Sequence, residues 1–99
     1  MEIETSLDEE LTPLKYPDEI QAWLIEKFAA ELWLEPAEVD VRKNFRAFGM
    51  DSISASVLIG EIAERMQFDA EPSLFERFST IEALTLFLAE RAAEANETA

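Results

Sequence analysis

Three stretches of this chain repeat their apolar residues at intervals of three and four, and that rhythm restricts the fold more than any other feature. Ile20, Trp23, Leu24, Phe28 and Leu32 make the first stripe, widened by Ile25 and Ala29. Ala55, Leu58, Ile59, Ile62 and Met66 make the second, and Ile81, Leu84, Phe87, Leu88 and Ala92 the third. At about 100° per residue each set falls on one side of an α-helix, and such a helix is stable in water mainly by burying that side against another. Ninety-nine residues, 48% of them hydrophobic, suffice for one such core and hardly for two. The expectation is an all-α domain of three long helices and one short, with a long loop between the first and second.

Punctuation in the sequence sets the element ends. Pro17 and Asp18 start the first helix, since proline is tolerated in a first turn and an acid suits the positive end of the helix dipole. Glu35-Pro36 is expected to end it, and both tryptophans, Trp23 and Trp33, are read as packing residues. From Pro36 to Met50 runs a connection too long to lie loose on a compact domain, so Val39, Val41, Phe45 and Phe48 should tie it down. Pro36-Ala37-Glu38 can add a helical turn within it, and Arg42, Lys43 and Arg46 are left in solvent as a counterweight to acidic neighbours. Ser73 to Phe78 has room for one or two turns. Ser79-Thr80-Ile81-Glu82 then signals a new helix, capped by Thr80 or by a Ser79/Glu82 capping box.

The helical unit is placed at 17–93. Residues 1–16 read as a flexible acidic lead, with Glu2, Glu4, Asp8, Glu9 and Glu10 against Lys15 alone, and 94–99 as a polar tail that frays. The spacing of Ile3, Leu7, Leu11 and Leu14 is helix-compatible, which leaves open a short amphipathic segment docking on the domain or on a partner.

Several functions are excluded by what is missing. With no Cys and no His, a Ser-His-Asp or Cys-His mechanism has no base, and a zinc site lacks its two commonest ligand types. No Asp-rich calcium loop or Gly-rich phosphate loop is present. No run of about 18 apolar residues exists to span a membrane, and no charged-then-apolar leader follows Met1, so a cytoplasmic, monomeric protein is expected. Asp and Glu number 22 against 8 Lys and Arg, a net charge of −14 that disfavours nucleic acid and anionic lipid and suits basic protein surfaces.

The stretch Phe48-Gly49-Met50-Asp51-Ser52-Ile53 stands out, because a glycine-broken loop enters the second helix there. Asp51 is a favoured N-cap, so Ser52 becomes the first helical residue, its hydroxyl beside unpaired amides and the positive end of the dipole, a place suited to a phosphate ester. Ile53, Val57, Gly60 and Glu64 fall on the side of this helix away from the core stripe. Two β-branched apolar residues and a glycine are poor choices for an ordinary exposed face, and beside Ser52 they read as a docking surface, unless a loop covers Ile53 and Val57.

This stretch, followed by Leu58, resembles the phosphopantetheine attachment motif of acyl carrier proteins. The similarity to the four-helix carrier bundle extends from about Asp18 to Ala92. Ala22-Trp23-Leu24, Leu58-Ile59-Gly60-Glu61-Ile62 and Pro72-Ser73-Leu74-Phe75 before Phe78-Ser79-Thr80-Ile81 resemble carrier domains of polyketide synthases more than those of fatty-acid synthesis. Ser79 stands where the family usually has proline, a departure at a helix start that leaves the attachment motif intact. The resemblance implies a carrier without catalysis of its own. A phosphopantetheinyl transferase would place a 4'-phosphopantetheine arm on Ser52, with Asp51 helping to present the site. Acyl groups of polyketide or related fatty-acyl biosynthesis would ride on the arm as thioesters, which accounts for thioester chemistry in a protein lacking cysteine. Ile53, Val57, Gly60 and Glu64 would face acyl-loading enzymes, ketosynthases or other partners with basic surfaces. Leu58, where carriers serving β-branching cassettes often place tryptophan, disfavours that role, and Met50 favours acyl over peptidyl cargo. A peptidyl or D-alanyl carrier and an unmodified acidic helical adaptor for a basic protein are the alternatives; a hydrolase using Ser52 lacks its histidine.

Overall fold

The computed structural model describes residues 14–98, with side chains as far as Glu94. Among the described residues four α-helices follow one another: α1 (Pro17–Leu32), α2 (Ser52–Met66), the single turn α3 (Leu74–Arg77) and α4 (Ile81–Thr98). The long α1–α2 connection holds two 3-10 turns, Pro36–Glu38 and Phe45–Phe48, and no strand occurs among the described residues. The helical backbone of α4 continues to Thr98, through the polar stretch beyond Arg91. The acidic lead lies outside the described residues except for Leu14, Lys15 and Tyr16.

The three stripes meet in one core. Ile20, Leu24 and Phe28 of α1, Leu58 and Ile62 of α2, and Ile81, Leu84 and Leu88 of α4 are fully buried or within 1% of it. Around this centre pack half-buried Trp23, Ile25, Leu32, Phe87 and Ala92, so the stripes read from the sequence are the faces that α1, α2 and α4 turn inward. The long loop is tied down as expected: Val39 and Phe45 are buried and Val41 and Phe48 half-buried. Phe45 stacks on Phe28 at 4.8 Å between ring centroids and meets Phe75 of α3 edge-on at 5.2 Å. Two backbone bonds sew the same loop to the start of α4, Phe45 donating to the Ser79 carbonyl and Glu82 to that of Val41, both at 2.9 Å. Arg42 reaches the Glu82 carboxylate at 3.4 Å, an exposed pair of the kind that contributes little. Thr80 caps α4, its hydroxyl accepting the Ala83 N–H at 3.1 Å.

Two readings around Trp33 need correction. The first helix ends at Leu32, three residues before the Glu35-Pro36 stop, because Trp33 turns into the left-handed region (φ 60°) and its N–H closes on the Ala29 carbonyl. Leu34 then donates to the same Ala29 oxygen, and Pro36 opens the first 3-10 turn instead of ending the helix. A left-handed residue here is usually glycine, so a tryptophan at this position does not signal the turn. As a result Trp33 swings off the apolar stripe and is 93% exposed, whereas Trp23 packs against the core as expected.

Candidate functional site

Ser52 owes its position to a run of local turns. Asn44 caps the second 3-10 turn by accepting the Arg46 N–H at 2.9 Å. Gly49 then ends it at φ 85°, a conformation that costs a residue with a Cβ roughly 1–2 kcal/mol. Met50 lays its half-buried side chain on the core, and Asp51 adopts an extended backbone from which its carboxylate accepts the Ser54 N–H at 2.8 Å. Ser52 is the first residue of α2, with its side chain exposed. The geometry is the one expected from the sequence: a primary alcohol, open to solvent, at a helix N-terminus whose free amides and dipole favour an anionic ester.

Asp51 is the described carboxylate with a clear perturbation. The Ser54 backbone N–H, and secondarily the Ser54 hydroxyl, stabilise its charged form and hold its pKa below the 3.8 of a free aspartate. Asp51 thereby fixes the start of α2. A group with a depressed folded pKa stabilises the fold above its unfolded value and loses that contribution as pH falls through the folded one. The stability gap between the wild type and Asp51→Ala should therefore be full at neutral pH and shrink well below pH 3.8. Urea midpoints at both pH values test this, and a gap unchanged in acid would assign the effect to something other than the charged cap.

A cleft of about 520 Å³ opens beside Ser52 between the loop, the first turns of α2 and α3. Phe45, Phe75, Met50 and Ala55 give it apolar surface, and Asn44, Ser56 and Ser79 place polar groups at it. The aliphatic and amide parts of a phosphopantetheine arm would match that mixture, and the exposed Ser52 hydroxyl stands at its edge. Leu58, Ile62, Ile81 and Leu84, which would govern an interior acyl cavity, are buried to 1% exposure or less.

The α2 face away from the core is open. Ile53 is 74% exposed and Val57 42%, and Gly60 and Glu64 are exposed in line with them. No described loop covers Ile53 and Val57. Gly60 sits mid-helix with nothing within 4 Å of where a Cβ would be, so the packing of this fold does not require a glycine there. What the sequence alone did not disclose is the cleft: its walls come from residues 44–56 and 72–79, and their meeting depends on how the loop and α3 pack.

No described helix is long and apolar enough to cross a membrane. No group of three or more acidic residues among those described is placed to hold a metal ion.

Residues 22–88 match the family described as "Phosphopantetheine attachment site". Among curated proteins the chain is similar to the conidial pigment polyketide synthase alb1 of Aspergillus fumigatus, 33% identical over 72 residues that make up 73% of this chain. It is also similar to the non-reducing polyketide synthase aoiG of Aspergillus oryzae, 32% identical over 69 residues and 68% of this chain. The chain spans only 3% of the length of either synthase. Among solved structures it is similar to a free-standing peptidyl carrier protein from Acinetobacter baumannii, with a TM-score of 0.75 at 28% identity over 79% of this chain and 98% of that one. An acyl carrier protein of Anabaena sp. PCC 7120 with a variant phosphopantetheinylation-site sequence gives 0.74 at 27% identity, covering 83% and 93%. Four helices around one core, an open serine at the mouth of the second and a match across two thirds of the sequence agree with one another, and the chain belongs to the phosphopantetheine attachment family of carrier domains.

Proposed function

We propose that Ser52 carries the 4'-phosphopantetheine arm and that the domain, at 17–93 with the lead 1–16 and tail 94–99 outside it, is a cytoplasmic, non-catalytic acyl carrier serving polyketide assembly. The observation that carries this reading is the exposed Ser52 hydroxyl at the N-terminus of α2, next to a cleft of mixed polarity. A separate transferase supplies the arm from coenzyme A. The Ser52 oxygen forms the new ester bond to phosphorus, the pyrophosphate bond of coenzyme A breaks, and adenosine 3',5'-bisphosphate leaves. The base that takes the serine proton belongs to the transferase: this chain has no histidine, and the Asp51 carboxylate is engaged in capping the Ser54 N–H. Similarity to two fungal polyketide synthases supports acyl cargo of that class. Incubation with coenzyme A and a broad-specificity transferase, followed by intact-mass measurement, is the test: one arm per chain is expected, and an unchanged mass would refute the proposal.

The exposed stripe of Ile53, Val57, Gly60 and Glu64 is the proposed docking face for the transferase, acyl-loading enzymes and ketosynthases with basic surfaces. Val57→Glu should change stability by no more than about 0.5 kcal/mol, as a surface substitution. Transferase kcat/KM should nonetheless drop roughly tenfold, the loss expected when an apolar contact at an interface centre is replaced by a charge. Unfolding of this variant, or unchanged turnover, would remove Val57 from the interface.

A further inference from the structure

Gly60 is a residue that this fold does not need. It stands in the interior of α2, where glycine is a poorer helix former than alanine. Three structural duties could account for it, and none applies. Gly60 is not among the residues of positive φ, which are Trp33, Gln67 and Gly49, so it makes no left-handed turn. Apart from its chain neighbours and the backbone of its own turns, no described atom comes within 4 Å of where a Cβ would stand, so no packed segment claims the space. The helix continues to Met66 and is closed by Gln67, so Gly60 is not its C-terminal cap either. Its bare Cα is exposed, and what the missing side chain leaves is clearance on the outside of the molecule.

The clearance has definite neighbours. Val57 and Glu64 lie one turn to either side of Gly60 on the same face of α2, about 10 Å apart along the axis. Val57 is 42% exposed, Ile53 beyond it 74%, and Glu64 is exposed at the other end. Glu61, the acid next to Gly60, is held by Lys27 of α1 at 3.8 Å, which leaves Glu64 as the carboxylate without an ion pair among the described residues. The face therefore runs from apolar through bare to acidic. A long cationic side chain has the same order, an aliphatic stem and then a charged tip, and a chain of net charge −14 draws cations to it. Gly60 is also within reach of whatever docks on Ser52. The two are about 12 Å apart along the helix. An interface patch of about 800 Å² per partner has a radius of about 16 Å, so an enzyme centred on Ser52 covers Gly60 as well.

We infer that the gap over Gly60 seats a lysine or arginine side chain of the phosphopantetheinyl transferase, its stem across Gly60 against Val57 and its charge at Glu64; this rests on Ser52 being the attachment point. Gly60 then sets how closely the enzyme approaches α2, and its lack of a side chain is a determinant of recognition. The test sets stability against binding. Gly60→Ala should raise the urea midpoint of the unmodified chain, because alanine is the better helix former, and still raise the Kd for the transferase about threefold. Gly60→Leu should raise that Kd about tenfold, with KM for modification rising in parallel. Loss of clearance grows with the added side chain, whereas stiffening of the helix does not. Equal losses for alanine and leucine would therefore assign the effect to helix rigidity, and an unchanged Kd in both would leave the gap unused; either result overturns the inference. Glu64→Gln should weaken binding and flatten its dependence on salt, and a salt dependence identical to that of the wild type would overturn the cationic occupant. Intact mass of the wild type, measured alongside, separates the two readings. An unmodified wild type defeats the Ser52 assignment and this inference with it, while a normal mass gain with an indifferent Gly60 series defeats this inference alone.

Discussion

Alanine at Phe45 should cost the fold about 3–5 kcal/mol, the range for deleting a buried aromatic side chain. In a domain whose whole stability is of order 5–15 kcal/mol, the loss is large enough to leave part of the population unfolded. The reason lies in what one ring joins. Phe45 is 3% exposed, stacks on Phe28 of α1 at 4.8 Å and meets Phe75 of α3 at 5.2 Å, while its own backbone N–H is bonded to Ser79 before α4. Removing it leaves a cavity where the long loop, α1 and α3 come together. The same ring lines the cleft beside Ser52, so the surviving folded fraction should also be modified more slowly. Urea unfolding followed by circular dichroism measures the first effect and transferase kinetics the second. A loss under about 1 kcal/mol would mean that the site repacks and that the loop is held mainly by its other anchors.

Ser52→Ala should abolish the mass gain completely while leaving the fold intact. The side chain is exposed, the helix is capped by Asp51, and alanine is an excellent helix former, so the variant should unfold within about 0.5 kcal/mol of the wild type. Two neighbouring serines make the experiment sharper. Ser54 is half-buried and bonded to Asp51, and Ser56 is exposed one turn further along α2. Ser56→Ala should still gain one arm. If Ser52→Ala still acquires one arm, the attachment point is elsewhere and the assignment fails.

Much of the site was legible because it is built from local interactions. The order Gly49, Asp51, Ser52 specifies a left-handed turn, a cap and a helix start within four residues, and each was found where the sequence placed it. The inward stripes were legible for a related reason: an α-helix converts spacing along the chain into direction, so Leu58 and Ile62 had to point one way and Ile53 and Val57 the other. Trp33 was misread because a left-handed residue needs no glycine when the surrounding contacts hold it, and one backbone turn moved the largest apolar side chain of its segment from the core to the surface.

The sequence by itself determined the all-α class, the placement of the long helices, the open serine at the head of α2 and the carrier family to which the chain is similar. Only the tertiary structure decided where α1 stops, the cleft beside Ser52, the buried centre around Leu58, Ile62, Ile81 and Leu84, and the grouping of Arg77 with Arg91. The division follows the range of the forces. Capping, helix periodicity and turn chemistry act across a few bonds and are written in neighbouring residues. A cleft or a pair of arginines from α3 and α4 exists only after segments far apart in the chain have packed together.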